Sequence, residues 1–353
     1  MRFRLRKWLT FAISISALCC TVAEQAAAQS ISDRVRLGRG SETGEMTEMT
    51  PLGVTLSKGL PGNQTIAVNE IKSVIFDGEP AELSQARVNA ANGAYRNALE
   101  TLERIDVGAV RRNYVREDIE FYKAWCAAHL ALAGEGEIGD AGRQLNNFVR
   151  THPQNFHCLA AVEMMGDLLM AGQRYEQAQK QYADLAKAPW PDYKMRAAVL
   201  IGRTLQAQGK HAEAIQQFDA ALATSDEGLD SQNQRLAATL GKAVSLAETG
   251  GVDEAVDMIE KVIQDADPQQ KELHARAYNA LGRCYEKADK TKDALLAYLH
   301  VDVLYNNVPE AHAEALAHLA PLWKAIGQEE RGREARRLLE ERYGSSRWVE
   351  QPQ

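Results

Sequence analysis

Cysteine is scarce in this chain, and positive charge is not in excess. The 353 residues hold five cysteines, and 41 basic against 48 acidic side chains give a formal charge of −7. Cys19 and Cys20 sit near the N-terminus. Cys126, Cys158 and Cys284 remain, an odd number set far apart, which excludes a disulfide framework. They read as buried free thiols on helices, with a Cys126–Cys158 bridge as the alternative; Cys284, beside Arg283, reads as packed rather than nucleophilic. A net acidic chain does not suggest nucleic-acid binding. Aromatics make up only 7% of residues, and alanine is frequent in the second half, which favours helices packed through small residues. The short catalytic patterns are missing too: no G-x-S-x-G, no H-E-x-x-H, no phosphate-loop glycine run. His152 and His157 are five apart and His312 and His318 six apart, so neither pair sets two ligands on one helix face. No enzymatic activity, metal or cofactor is expected.

There is one apolar run of note, Trp8 to Ala23. Arg2, Arg4, Arg6 and Lys7 precede it and EQAAAQ comes after it. This is the layout of a secretory signal peptide. Ala26 and Ala28 form an A-x-A site, so residues 1–28 are expected to be removed. An uncleaved anchor is a second reading, but Thr10, Ser14, Ser16 and Thr21 interrupt the run, and a span needs roughly 20 apolar residues. A lipidated cysteine is a third, although Leu18 stands before Cys19 where a small residue is usual. Removing the four basic residues and Glu24 of this segment takes the formal charge to −10. The expected location is the periplasm or the extracellular side of the inner membrane. Membrane proximity would come only through an uncleaved signal or a partner.

Residues 29–79 alternate with a period of two. DRVRLGRG sets Val35 and Leu37 against Arg34 and Arg36; GVTLSKG repeats this with Val54 and Leu56; QTIAVNEIKSVIF continues with Ile66, Val68, Ile71 and the run Val74 to Phe76. Gly38, Gly40, Gly44, Gly53, Gly59, Pro61, Gly62 and Asn63 read as turns. Four or five short strands are expected. The pattern resembles small SH3-like or Sm-like β-barrels, some of which bind RNA or peptides. Phe76 is the only aromatic in the segment, so RNA stacking is not carried over. The segment reads either as a cap on the helices behind it or as a separate peptide-binding module. Pro80 suits a first helical turn.

The remainder, residues 80–348, is helical and repetitive, with 349–353 as a tail. GQRYEQAQKQYADL places Tyr175, Ala178, Tyr182 and Leu185 on one helix face. The same arrangement recurs around Ala98, Ala141, Ala214, Ala255 and Ala294, so successive alanines are 43, 37, 36, 41 and 39 residues apart. Each alanine is followed by an apolar residue at plus four and another at plus seven. A preceding helix supplies Gly166 and Leu169, Gly202 and Leu205, or Leu281, Gly282 and Tyr285. These residues resemble tetratricopeptide repeats over about three-quarters of the chain, residues 81–343. Copy five departs, with Lys242 and Ala243 where Leu-Gly is usual. Copy two carries a GEGEIG insertion. The last copy has Gly332 at the alanine position and Pro321 inside its first helix, where a kink is expected. The fold class is therefore mainly α, a solenoid of six to seven helix pairs behind a small β-barrel-like domain.

The resemblance implies a concave face lined by the first helix of each pair. Register then places Glu163, Asp167, Arg196, Arg203, Arg276, Asn279, Arg283 and Glu286 there, with Leu240 and Val244 as an apolar floor. Arginine forks favour carboxylates. The expected function is a non-enzymatic scaffold of the cell envelope that binds a protein or peptide segment in this groove, with no nucleic acid and no cofactor. The closing LLEERYGSSRW is similar to the repeat ends of bacterial envelope-assembly proteins, with Gly344 in place of their proline. The alternative is a ligand-binding or polysaccharide-export accessory protein acting through the β domain.

Overall fold

The computed structural model describes residues 31–59, 62–344, 346, 348 and 349; the expected signal peptide lies outside them. Five antiparallel strands come first: β1 (Asp33–Leu37), β2 (Ser41–Thr50), β3 (Gly53–Ser57), β4 (Asn63–Ala67) and β5 (Ile71–Ile75), in the order β4-β3-β2-β1-β5. A 3-10 turn, Val68–Glu70, joins the two edge strands. The longest strand corrects the sequence reading, because Gly44, read as a turn, lies inside β2. The first half of β2 pairs with β1 (Asp33 opposite Gly44) and the second half with β3 (Glu45 opposite Ser57), with a register shift between Met46 and Glu48. A Cβ on Gly44 would sit 2.6 Å from the Ser57 carbonyl oxygen, so this crossing admits only glycine. Only Met46 and Met49 of the strand are buried, which left no alternation to detect.

The sheet shares its core with the helices. Val35, Val54, Leu56, Ile66, Val74 and Phe76 form one cluster with Leu83, Leu102, Val115 and Ile119. Burial against the helices offsets the small core that five short strands hold alone. A buried ion pair fastens the junction. The Arg112 guanidinium donates to both oxygens of the fully buried Asp33, at 2.5 and 2.8 Å, and Asp33 also accepts from the Met46 and Asp77 amides.

Among the described residues fourteen α-helices come next, in seven pairs. They are α1 (Ala81–Ala91) with α2 (Tyr95–Glu103), α3 (Asn113–Leu132) with α4 (Ile138–Thr151), and α5 (Cys158–Ala171) with α6 (Tyr175–Leu185). The middle pairs are α7 (Pro191–Ala207) with α8 (His211–Leu222) and α9 (Leu229–Glu248) with α10 (Val252–Asp265). Last are α11 (Lys271–Lys287) with α12 (Thr291–Leu304) and α13 (Pro309–Ala325) with α14 (Glu329–Tyr343). The six periodic alanines are buried. The glycines of the first helices let an aromatic ring of the second helix press against the backbone. A Cβ on Gly166 would lie 2.3 Å from the Tyr182 ring, and one on Gly202 or Gly282 would lie 2.6 Å from Phe218 or Tyr298. Copy five tolerates Ala243 because the residue at its plus-four position is the smaller Ile259. In the last pair Gly332 replaces alanine because a Cβ there would meet the Ala320 carbonyl oxygen at 2.7 Å. Pro321 does not end α13, which runs through to Ala325.

Each second helix packs on the first helix of the next pair. First helices also pack on one another, α1 on α3, α3 on α5, α7 on α9, α9 on α11 and α11 on α13. Among the described residues the second helices make no comparable contacts with one another. The array therefore curls with its first helices inside. Cys126, Cys158 and Cys284 are free and buried, with thiols pushed up by burial to about 12, 11 and 11.

Candidate functional site

The inner face carries most, not all, of the residues that register assigns to it. Leu240 and Val244 are corrections: both are buried in the core of the fifth pair with Ile259 and Leu281, so there is no apolar floor between α7 and α11. Asn279 is also buried. Its amide donates to the Ala311 carbonyl at 2.8 Å and to Glu314 at 3.1 Å, tying α11 to α13. Leu240 and Asn279 stand three residues before the small residue of their helices, the position that turns towards the next first helix.

The remaining residues are mostly engaged. Arg196 pairs with Glu163 at 3.1 Å, bridging α7 and α5, and lies over the Tyr193 ring. Asp167 accepts from the Tyr182 hydroxyl at 2.7 Å; burial pushes its carboxyl up to about 6. Arg276 pairs with Glu272 on its own helix at 2.7 Å, and Arg283 stands 3.9 Å from Glu314. Glu286 accepts from the Tyr298 hydroxyl at 2.8 Å and lies 3.0 Å from His318. Arg203 is different. It is half-buried on α7, and among the described residues its guanidinium makes no hydrogen bond or ion pair. Burial, and then the nearby Arg276, pull it down to about 10. A desolvated guanidinium without an acceptor is costly, and an incoming carboxylate or other anion relieves that cost.

A second feature escaped the sequence reading. An aromatic cavity of about 440 Å³ lies where the sheet meets the inner face. Ile71, Lys72 and Ser73 form one side, and Tyr95, Trp125 and Tyr193 face it from the helices. Tyr122, Trp125 and His129 recur at steps of three and four along α3, the signal that could have revealed it. His129 stacks on Tyr95 at 4.0 Å and meets the Trp125 edge at 4.9 Å; burial pushes it down to about 4. In the same lining His157 is stacked on Phe121 at 3.7 Å, with Phe156 at 3.9 Å. His157 Nε2 is 2.8 Å from Asp118, and Arg87 forks to both Asp118 and Glu79. Burial would raise the Asp118 carboxyl, but Arg87 and His157 hold it below the usual range. Each charged side chain of the network has a partner, and with His157 pushed towards neutral by burial the one cation, Arg87, is shared by two carboxylates. A larger hollow of about 530 Å³, between the connection after β5 and the α2–α3 connection, is lined mainly by loop residues of both charges. Among the described residues no group of three or more His, Cys, Asp or Glu side chains could hold a metal ion. No helix there is long and apolar enough to cross a membrane.

Tyr193, Arg196, Leu200 and Arg203 line one side of α7, with Tyr193 in the cavity wall and Arg203 at the other end. The face of α7 thus connects the aromatic cavity to the free guanidinium.

A family profile described as Tetratricopeptide repeat matches residues 163–233, 199–271 and 240–307. No curated protein matches the chain. Among solved structures it is similar to a tetratricopeptide repeat protein from Parabacteroides merdae ATCC 43184. That match has 16% identity and a TM-score of 0.52, and covers 74% of this chain and 91% of that one. It is similar to the apo quorum sensor NprR from B. thuringiensis (16% identity, TM-score 0.56, 74% of each chain). It is also similar to a Rap protein complexed with Competence and Sporulation Factor (11% identity, TM-score 0.54, 76% of each chain). Repeat period, paired helices, glycine–aromatic contacts and profile agree: residues 163–307 are tetratricopeptide repeats, within a helical array of the same architecture that follows a five-stranded sheet.

Proposed function

We propose that this protein is a non-enzymatic scaffold that acts after export, in the cell envelope, and holds an extended acidic segment of a protein partner along its inner face. The carrying observation is Arg203, a guanidinium left without an acceptor in the groove while its neighbours Arg196 and Arg276 are paired. The fold-level likeness to a Rap protein solved with a bound factor supports the use of such an array as a holder. Export rests on the charged start, the apolar run and the A-x-A site of residues 1–28.

The test is fluorescence anisotropy with labelled acidic peptides and their Gln-for-Glu counterparts. Binding is expected to need the carboxylate, to weaken with salt and to be lost in Arg203→Glu. Equal binding of acidic and neutral peptides refutes the reading. Fractionation and N-terminal sequencing of the protein test the location: a mature start at Gln29 in the exported fraction is expected, and a cytosolic chain beginning at Met1 refutes it. The second reading, an accessory protein that binds ligand or polysaccharide through the β domain, draws on the side of the cavity that Ile71, Lys72 and Ser73 supply.

A further inference from the structure

The cavity and Arg203 differ in what they offer. The cavity is aromatic and its cations are paired: Arg87 with Glu79 and Asp118, and Lys72 at its rim with Asp230, while the His129 imidazole is neutral at neutral pH. Arg203 offers a guanidinium that no acceptor among the described residues contacts directly, with Asp167 and Glu272 only near enough to act on it through space. The two lie at opposite ends of one side of α7, ten residues apart from Tyr193 to Arg203. At the helical rise that is about 15 Å, and an extended peptide covers about 15 Å in four to five residues. A small aromatic acid is too short to reach both. The acidic net charge of the chain, with a single free guanidinium among the groove residues, disfavours a polyanion such as RNA.

We infer that the segment held on the inner face carries an aromatic side chain and a carboxylate about four to five residues apart, the ring seated between the sheet and α3 and the carboxylate on Arg203. This rests on the reading that the inner face holds an extended acidic segment, and it adds a second anchor and a spacing. The aromatic ring supplies buried area and stacking against Tyr95, Trp125 and Tyr193. The carboxylate supplies the charge-assisted bonds that Arg203 lacks. The sheet thereby becomes part of the recognition surface rather than a cap alone.

The experiment uses the purified protein and a series of labelled Gly-Ser peptides. Each holds one Trp and one Glu, separated by one to nine positions. The tightest binding is expected at a separation of four or five. Replacing the peptide's Trp by Ala, or its Glu by Gln, should each weaken binding at least about tenfold. In a double-mutant cycle, Trp125→Ala in the protein should erase sensitivity to the peptide's Trp, and Arg203→Gln should erase sensitivity to its Glu. Far-ultraviolet circular dichroism checks both variants for folding, and Trp125→Phe, which keeps a ring, should retain most of the binding. Binding that needs Glu but ignores Trp and spacing overturns this inference and leaves the acidic-segment reading standing. Binding that ignores Glu overturns both. Competition by free indole-acetate at the same affinity as the best peptide shows a small-ligand site and also overturns the inference.

Discussion

Each helix pair turns through one residue with a left-handed backbone. In five pairs it is glycine, but in the third it is Gln173 (φ 57°) and in the sixth Asp289 (φ 55°). A side chain meets a steric penalty there that glycine avoids. Gln173→Gly should therefore stabilise the protein by about 1 kcal/mol, read as a higher urea midpoint at unchanged slope; an unchanged or lower midpoint contradicts the assignment. Gly172 stands one residue before this turn, and in a sequence a glycine beside a turn looks the same as a glycine in it. The opposite substitution tests the packing. Gly202→Ala would place a methyl 2.6 Å from the Phe218 ring, which is fully buried. A loss of about 1–3 kcal/mol is expected, and Gly209→Ala at the next turn, with open space but φ 72°, should cost about 1 kcal/mol through backbone strain alone.

At the scale of elements, the sheet and the array behave as one folding unit held at Asp33 and Arg112. Burial would raise the Asp33 carboxyl, but the Arg112 fork and two backbone amides keep it below the ordinary range. Removing Arg112 strands a buried carboxylate, and Arg112→Ala should cost about 3 kcal/mol. Adding Asp33→Asn to that variant should recover part of the loss; full additivity in the cycle would show that the two do not interact. Most of the helices were legible, since their period and small residues repeat along the array. β2 was not, because its polar run alternates nothing and its one glycine serves a strand crossing. The groove was legible only as a set of positions. That Leu240, Val244 and Asn279 turn inward comes from how neighbouring first helices meet, which one helix pattern cannot encode. The aromatic cavity depends on α1–α2, α3, α7 and the sheet converging, residues far apart in sequence.

For the whole molecule, acid acts through groups of opposite sign, His129 and Asp167 among them. His129, pushed from its ordinary 6.5 to about 4, binds a proton less readily in the folded state. Its contribution is present above pH 6.5 and lost as pH falls towards 4. Asp167, pushed from 3.8 to about 6, binds a proton more readily when folded. It destabilises the fold above pH 6, and that cost is relieved as pH falls towards 4. The two partly cancel between pH 6.5 and 4. Asp167→Asn removes the relieving partner, so its melting temperature should fall more steeply over this window than that of the unmodified protein. Parallel curves would show that Asp167 ionises as it does in water.

A stack of repeats held only by nearest neighbours can come apart from either end. Here the ends are unequal. Asn69 reaches Asp192 at 3.4 Å, and Lys72 reaches Asp230 at 3.5 Å across 158 residues of chain. Each contact alone is weak, yet together with the shared core they turn the first five pairs into a closed circuit. Pairs six and seven stand outside it. Stretched from its two ends, the molecule should release its C-terminal helices first in small steps and then give way in one larger event when the circuit opens, with refolding slowed by the long loop that must close again.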